Sequence, residues 1–599
     1  MEKNLWENLK GVFRRYRWRF AKAMILVLLA NILMVLNPLV FRQAVAAMDK
    51  NAGQVSGILG GALRLLLGDY LGSLWAWALL LLCIGACAAS FKYCMRIAFI
   101  KISRDIERDV RSKLFVRMQE QSMAFYDRHG TGELLSRLSN DISSYRDVMG
   151  FGIMYPVFFS TLLIPGLLAL FSISPILTGA ALVPLFAIPV INFMIQHEVY
   201  SLSHKVQKGL ADLSNMTQEQ YSGIRIIKGY AAEKPLDRLF CKLSRVLKEV
   251  NIKLNCFQGV LYPFFGFLTR VITIVLVIFA SLIIIKAWET LSAADFVSFM
   301  WLQAYIFFPI LLLGWVMPIY QRGQAAYERL VEVYAEPIEV KNINANGLHI
   351  APGADIEFRN LSFTYPTGQR EILKNFSLHI QGGTFVGITG PVGAGKTTLL
   401  RLLNREYEIP LGKLLIGGHD IHDYQLEALW NEMVTVEQAP FLFSRTIAEN
   451  VRFGNADALQ KDVEIVSQYA DLHETVLGFP QQYETIIGER GVTLSGGQKQ
   501  RLALARALLV DRSILLLDDV FAALDSETEM RIFKTIQSKL KQKTVILITH
   551  KVSVLEALDR VIYMQNGEIL EDGSPKDLRG QRGYYAALVE LQKPHLGNG

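Results

Sequence analysis

The 599-residue sequence predicts an α-helical transmembrane domain of six helices with long cytosolic extensions, followed by an α/β P-loop domain. Three observations predict this fold class. Apolar residues make up 51% of the chain, and their long uncharged runs lie in the first 321 residues. The later part alternates short apolar strands with helices, which is typical of a mostly parallel sheet. One of those strands leads directly into a glycine-rich loop followed by a helix.

Six segments are long and apolar enough to cross a bilayer, since a helical span needs about 20 apolar residues. The predicted spans are 23–45, 70–93, 148–171, 175–196, 257–285 and 296–321. The uncharged run from 148 to 196 is too long for one span, and "SISP" (Ser172 to Pro175) divides it into two helices joined by a hairpin. Helices buried in a large soluble core do not reach this number and length.

The distribution of Lys and Arg predicts the orientation. Residues 1–22 form a basic amphipathic segment, and the loops 92–147 and 197–253 are long and rich in Lys and Arg, whereas the alternate loops carry few. Positive loops stay on the cytosolic side. We therefore expect an integral protein of a bacterial inner or plasma membrane, with both termini and the second domain in the cytosol. The same loops account for the net charge of +7, so we expect membrane lipid and no nucleic acid as a partner.

The two cytosolic loops are predicted to be helical arms. Apolar residues recur at helical spacing, as at Ile102, Ile106 and Val110, so the spans should continue as helices beyond the bilayer. We expect the first arm to turn within 125–141 and the second within 219–233. Such arms favour a mechanical link to a cytosolic domain, which we place at 355–599 after a linker at 322–354.

The glycine-rich loop "GPVGAGKT" follows the apolar strand "FVGIT" and matches the phosphate-binding pattern G-x-x-x-x-G-K-[ST]. Backbone N–H groups at the start of a helix favour phosphate. We expect Lys396 to reach the terminal phosphates and the Thr397 hydroxyl to bind Mg²⁺. The residues predicted to hold the nucleotide phosphates here are Gly390, Pro391, Val392, Gly393, Ala394, Gly395, Lys396, Thr397 and Thr398.

Two further strands end in polar residues. Asp518 follows the apolar run that begins at Ile514, where it can hold the Mg²⁺ shell. His550 follows "VILIT" at residues 545–549. Ligands bind at the carboxyl ends of parallel strands, so we expect both side chains at the edge of the sheet that carries the phosphate loop.

These motifs, taken in order, resemble an ATP-binding cassette (ABC) exporter half-transporter nearly from end to end. The most specific of them is "LSGGQKQRLALARAL" (Leu494 to Leu508), which resembles the family's signature. The resemblance implies that the signature contacts the γ-phosphate of ATP bound to a second subunit, across a head-to-tail dimer. The signature residues it assigns are Leu494, Ser495, Gly496, Gly497 and Gln498.

The resemblance also implies roles for single residues outside these motifs. Tyr365 fits the aromatic residue that stacks on adenine, and Gln438 fits the glutamine that touches Mg²⁺ and the attacking water. Asp525 fits the loop that joins the two sites, and His550 fits the histidine that contacts the γ-phosphate. The segment 486–491 resembles the exporter-specific stretch that touches the cytosolic arms.

Asp519 departs from the family's pattern, which has Glu directly after the Mg²⁺-binding Asp. Asp is one methylene shorter, so its carboxylate would fall roughly 1–1.5 Å short. A misplacement of about 1 Å can lower a rate about a hundredfold. We therefore expect a degenerate site that binds ATP and hydrolyses it poorly, in one subunit of a heterodimer. A homodimer, in which backbone drift or an extra water restores Asp519 as base, is the alternative.

The predicted function is ATP hydrolysis coupled to export of a drug, lipid or other amphiphile. An ATP-gated channel or regulator and an importer built on the exporter fold are the alternatives, and the sequence does not identify the substrate. Arg270 stands alone within the fifth span. We expect it either to line the transport path or to pair with a polar group between helices, because charge in a bilayer is costly.

Overall fold

The computed structural model describes the backbone of residues 5–48, 57–286, 291–343, 348–488 and 494–592. The chain separates into two compact units. The helical unit comprises Met1–Arg117 and Leu134–Glu336, and the cassette unit comprises Met118–Glu133 and Pro337–Gly599. A short piece of the first cytosolic arm therefore belongs to the cassette unit rather than to the helices that flank it.

Long helices dominate the first part of the chain. They are α1 (Leu5–Arg15), α2 (Arg17–Met48), α3 (Gly57–Leu67), α4 (Leu74–Gln119), α5 (Met123–Arg128), α6 (Thr131–Ser136), α7 (Ile142–Asp147), α8 (Ile153–Ile173), α9 (Pro175–Ser222), α10 (Ile224–Gly229), α11 (Glu233–Ile285) and α12 (Ala293–Ala335). Local sequence sets the ends of the long helices. Ser174 caps α9 by accepting a hydrogen bond from the Leu177 N–H, and Pro175 occupies the first helical position.

Four helical stretches in the described part of the chain are long and apolar enough to cross a membrane. They are Arg17–Ala47, Leu74–Gln119, Thr131–Ile173 and Gly266–Ile285, and a shorter apolar stretch covers Ala293–Phe307. The predicted span 175–196 lies in α9, and the side chains of 184–197 are outside the described set. The predicted span 296–321 lies in α12, and the side chains of 308–315 are likewise outside it. The full set of six spans stays a prediction.

The helices of the second arm extend far beyond the predicted spans. α9 and α11 pack against each other, and α10 lies between them in the chain. No residue of α10 is buried, and Ile226 and the adjacent Tyr230 are 67% and 83% exposed. The turn of this arm therefore presents apolar side chains that the described chain leaves uncovered.

Two segments differ from the sequence-based expectation. α12 runs on to Ala335, so the first part of the segment predicted as a linker is helical; residues 322–335 contain no proline. The loop between the first two predicted spans contains α3, which is apolar along most of its length. Leu63 of α3 packs in a small core with Val40, Ala44 and Trp77, and this burial accounts for the helix.

The described part of the cassette unit contains ten strands in two sheets. The strands are β1 (Ile356–Thr364), β2 (Glu371–Ile380), β3 (Phe385–Thr389), β4 (Leu414–Ile416), β5 (His419–Asp420), β6 (Met433–Val436), β7 (Ile514–Asp518), β8 (Thr544–Ile548), β9 (Arg560–Gln565) and β10 (Glu568–Gly573). One sheet has the order β2-β1-β4-β5 and the other β10-β9-β3-β8-β7-β6. In the larger sheet β9, β3, β8, β7 and β6 are parallel to their neighbours, and β10 pairs antiparallel with β9.

Helices and 3₁₀ turns connect these strands. The helices are α13 (Lys396–Leu403), α14 (Leu426–Glu432), α15 (Ile447–Val451), α16 (Gln460–Tyr469), α17 (His473–Leu477), α18 (Gly496–Leu509), α19 (Ser526–Lys539), α20 (Val552–Leu555), α21 (Pro575–Gly580) and α22 (Tyr584–Gln592). Successive residues of a strand point to opposite faces. Leu515 and Leu517 of β7 accordingly enter one core, while Ile514 and Leu516 enter the other. The central strands are buried on both faces, and only their ends are free to carry polar side chains.

Candidate functional site

The phosphate loop connects β3 to α13. Gly390, Gly393 and Gly395 have φ angles of 139°, 81° and 96°, a backbone region that residues other than glycine rarely adopt. A Cβ atom on Gly390 would lie 1.9 Å from the carbonyl oxygen of Met564. The loop can therefore curl tightly over the start of α13 only because glycine occupies these positions.

Lys396 is the first residue of α13. Its Nζ donates hydrogen bonds to the carbonyl oxygens of Gly390 and Pro391, both at 2.8 Å. Burial lowers the pKa of Lys396, and the nearby carboxylates of Asp518 and Asp519 act in the opposite direction. The ammonium group is held inside the loop, where phosphate oxygens can replace the two carbonyls.

Asp518 ends β7 next to the phosphate loop. Burial raises the pKa of Asp518, and the neighbouring Thr397 side chain acts in the opposite direction. A hydroxyl and a carboxylate side by side form a suitable oxygen pair for Mg²⁺, which keeps waters and phosphates as its other ligands. In the described part of the chain no three acidic, His or Cys side chains cluster as a metal site, and such a Mg²⁺ needs none.

Asp519 follows β7 with a φ of +47°. Asp tolerates this left-handed conformation better than most residues. The Asp519 N–H donates to the carbonyl oxygen of Ile548 at 2.9 Å, which fixes its backbone to β8. Gln438 lies two residues beyond β6, and its Nε2 donates to Oδ2 of Asp519 at 3.3 Å. The structure thus brings together the two side chains that the sequence assigns to the attacking water.

His550 lies two residues beyond β8, at the same edge of the sheet. Burial, and then the positive charge of Lys396, lower the pKa of His550. The ring therefore stays neutral at pH 7, in a state that can accept or donate a hydrogen bond. The last described residue, Gln592, donates from Nε2 to the His550 carbonyl oxygen at 2.8 Å and accepts from the Val552 N–H at 3.1 Å. The end of α22 thereby holds the loop that carries His550.

The signature-like segment forms the start of α18. Ser495 caps the helix, because its Oγ accepts from the Gln498 N–H while the Gln498 side chain accepts from the Ser495 N–H. A Cβ atom on Gly497 would lie 2.9 Å from the carbonyl oxygen of Ala523. Glycine at this position lets α18 pack directly against the loop after β7. In that loop Asp525 caps α19 by accepting from the Thr528 N–H at 2.9 Å.

Tyr365 lies just beyond β1 and is half-buried. Its hydroxyl shares a 2.9 Å hydrogen bond with Oγ1 of Thr398 in α13. Its ring contacts the rings of Phe363 and Tyr407 edge to face, both at centroid distances of 5.1 Å. This arrangement joins an aromatic surface to the phosphate loop.

Two sequence-based predictions concern residues away from this site. In the segment 486–491, residues 489–491 lie outside the described residues, as do 492 and 493. Arg270 lies on α11 in the helical unit, is exposed, and forms no hydrogen bond or ion pair with the described residues. Neither prediction is tested by the geometry of the cassette unit.

Three side chains that the sequence analysis does not single out connect the loops of the site. Gln500 donates to the Gln438 carbonyl oxygen at 3.3 Å and accepts from the Ala523 N–H at 3.2 Å. Lys551 donates to the carbonyl oxygen of Leu524 at 2.6 Å. Arg506 donates to two backbone carbonyls at 2.9 and 3.0 Å. Their partners lie 23 to 65 positions away in the chain, so no local pattern signals these contacts.

Comparison with known proteins relates both parts of the chain to one family. The model of the ABC transporter transmembrane region matches residues 20–310, and the ABC transporter model matches residues 373–522. The multidrug resistance-like ATP-binding protein MdlA of Escherichia coli is 30% identical over 87% of this chain and 88% of its own length. The ATP-dependent lipid A-core flippase of Syntrophus aciditrophicus is 28% identical over 98% and 94%. The structure of a bacterial Atm1-family ABC exporter with ATP bound superposes with a TM-score of 0.75, at 26% identity, over 96% of this chain and 98% of that chain.

The substitution Lys396→Ala should weaken ATP binding by the full chain roughly 10- to 100-fold, the loss expected for one charged hydrogen-bonding group of about 1.5–3 kcal/mol. Photolabelling with an ATP analogue across a concentration series measures this. Lys461→Ala, which removes an exposed lysine on α16, is the matched control and should label like the wild type. Labelling of Lys396→Ala at wild-type concentrations would show that this loop does not bind the phosphates.

Proposed function

The chain belongs to the ABC transporter family and carries both the membrane region and the ATP-hydrolysing domain in one polypeptide. On this basis we propose how it works as one half of an exporter. The family, the exporter-type fold and ATP-driven transport follow from relatives matched over nearly the whole chain. The proposal concerns the roles of single residues, the partner subunit and the class of substrate. The single observation that carries it is the contact between Asp519 and Gln438 beside the Lys396 loop.

We assign the phosphate groups of ATP to the loop at 390–398 and to Lys396. The Lys396 amine already lies among backbone carbonyls, so replacing them by phosphate oxygens costs little rearrangement. Bound Mg²⁺ would neutralise charge on the phosphates, with Thr397, Asp518 and Gln438 as its candidate ligands. Asp519 would orient the attacking water, and the neutral His550 would hydrogen-bond the γ-phosphate. Intact Lys396, Thr397 and Asp518 favour a pump over a gated channel.

Three exposed features support a second subunit. Ser495 is exposed at the start of α18, where its backbone can face a phosphate that another chain holds. Ile226 of α10 and the adjacent Tyr230 are not covered by the described chain, as expected of a surface that docks on another protein. Arg270 is exposed within an apolar stretch that is long enough to span a membrane. A charge facing lipid there costs about 2.5–3.5 kcal/mol, so a partner or a polar cavity should face it.

We further propose that the partner is a different chain. The Asp519 carboxylate is anchored through a backbone bonded to β8, so a shift of the main chain to compensate for the shorter side chain would break that bond. A homodimer would then contain two weak sites. In a heterodimer this chain's Ser495 would complete a competent site on the partner, while its own site would bind ATP and hydrolyse it slowly. The cytosolic location of the cassette follows from the positive loops.

For the substrate we propose an amphiphile, either a drug-like molecule or a lipid. The similar proteins carry the names of a multidrug resistance-like protein and a lipid A-core flippase, which together indicate amphiphiles rather than one compound. Arg270 would meet an anionic or polar group of the substrate in the transport path. Its exposed position in an apolar helix is the feature of the described chain that favours this.

Unequal sites predict unequal effects of two substitutions on ATPase activity in the assembled transporter. Asp519→Asn removes a carboxylate from a site that already hydrolyses poorly, so the rate should fall by less than about twofold. Ser495→Arg places a bulky cation where the partner's γ-phosphate docks, so the rate should fall about a hundredfold. Ser538→Arg, at an exposed serine near the end of α19, is the matched control and should leave the rate unchanged. The measurement is steady-state ATPase of the purified complex.

Asp519→Glu extends the same test in the opposite direction. The longer side chain should let the weak site turn over and raise total ATPase up to about twofold, since a second site is added. Equal and near-complete loss of activity in Asp519→Asn and Ser495→Arg would instead establish Asp519 as a working base. The degenerate-site assignment would then be wrong.

Arg270→Ala should lower transport of anionic amphiphiles about tenfold, the loss expected for one charged hydrogen bond, while assembly stays intact. Arg245→Ala, an exposed arginine on α11 outside the predicted span, should transport like the wild type. Transport is measured as uptake into inverted vesicles for an anionic and a neutral amphiphile. Wild-type uptake of both by Arg270→Ala would remove Arg270 from the transport path.

A further inference from the structure

The short helix α5 is part of the cassette unit even though it belongs to the first cytosolic arm in the sequence. Ala124 and Phe125 are fully buried, and Ala124 packs in the core beside β3 and α13. The Met123 N–H donates to the carbonyl oxygen of Glu406 at 3.3 Å. These contacts hold α5 in place through its backbone and its apolar side.

One side chain of α5 makes a separate, polar contact with the cassette. The Tyr407 hydroxyl donates to Oδ2 of Asp127 at 2.5 Å, a length typical of a strong hydrogen bond to a charged acceptor. Tyr407 is only 1% exposed. Burial raises the pKa of Tyr407 and the Asp127 hydrogen bond raises it further, so the hydroxyl keeps its proton at neutral pH and remains a donor to Asp127.

The ring of Tyr407 contacts Tyr365, the residue proposed to stack on adenine. Its ring meets the Tyr365 ring at a centroid distance of 5.1 Å and an angle of 85°. The Tyr365 hydroxyl is bonded to Thr398, so this ring is fixed on one side by the phosphate loop and on another by Tyr407. Close-packed interiors transmit small displacements because they contain little free volume. A shift of the Tyr365 ring toward this core would therefore displace Tyr407.

We propose that Tyr407 is a positioning residue that transmits adenine binding at Tyr365 to the tip of the first cytosolic arm, through the hydrogen bond of its hydroxyl to Asp127. The inference rests on the proposed role of Tyr365. The proposed signal starts at the adenine ring of the nucleotide and does not depend on Gln438 or on the γ-phosphate. A site that binds ATP without hydrolysing it would still signal through this route, which gives the weakly hydrolytic site a function.

The test is amide hydrogen exchange of residues 122–130 in the full-length protein, with and without a non-hydrolysable ATP analogue. In the wild type the analogue should slow exchange in this segment. Tyr407→Phe keeps the ring but lacks the hydroxyl, so its affinity for the analogue should stay within about twofold of wild type while the slowing is lost. Asp127→Ala removes the acceptor from an exposed position and should behave in the same way even if Tyr407→Phe folds poorly.

Tyr424→Phe is the matched control. Tyr424 is a second buried tyrosine of the same core, and its hydroxyl donates to the carbonyl oxygen of Ile416 at 2.8 Å. This variant should keep the full slowing in 122–130. The double variant of Tyr407 and Asp127 should show no loss beyond either single one, since both remove one bond.

The outcomes separate this inference from the proposed function. Full slowing in Tyr407→Phe and Asp127→Ala, or equal loss in Tyr424→Phe, would overturn the role of Tyr407 and leave the exporter assignment intact. Unchanged analogue affinity in Tyr365→Ala would show that Tyr365 does not contact adenine, and the route would lose its starting point. A wild-type protein that binds no analogue at all would contradict the assignment of the ATP site itself.

Discussion

The parallel pairing of β3, β8 and β7 is the constraint on which the candidate site depends. Ile388 lies opposite Ile548, and Ile548 lies opposite Asp518, so the three strands end at the same height. Their carboxyl ends bring Lys396, His550 and the Asp518–Asp519 pair together, although Lys396 lies more than a hundred positions before the others in the chain. The strands themselves are buried on both faces, and the loops at their ends are the positions where polar chemistry can be placed.

The same pairing limits what Asp519 can do. Its N–H is bonded to Ile548 of β8, so the position of its carboxylate is set by side-chain length rather than by backbone adjustment. In the proposed mechanism the missing methylene leaves the Asp519 carboxylate short of the attacking water. In the heterodimer that we propose, this chain has an intact phosphate loop and signature but a short base, and its partner would supply the longer one. The Tyr407 route suits such a subunit, because it needs ATP to bind and not to be hydrolysed.

Much of this arrangement can be predicted from the sequence, since strand, loop and helix follow one another locally at Lys396 and Asp518. Apolar runs likewise predict long helices. The sequence does not predict α3, whose helix depends on packing against Trp77, or the continuation of α12 to Ala335. It also does not reveal Gln500, Tyr407 or Gln592, because each contacts partners distant in the chain. Sequence patterns over a short window of residues reveal motifs, whereas contacts between residues distant in the chain are revealed only by the folded structure.

The central claim is that this chain's own site holds ATP without cleaving it at a significant rate. The most direct measurement uses a photoreactive ATP labelled on its γ-phosphate, cross-linked to the active complex after turnover has begun, with the two subunits then separated. The account predicts that this chain retains the γ-label as intact triphosphate while its partner loses it, and that Asp519→Glu abolishes the retention. Equal loss of the γ-label from both subunits would contradict it.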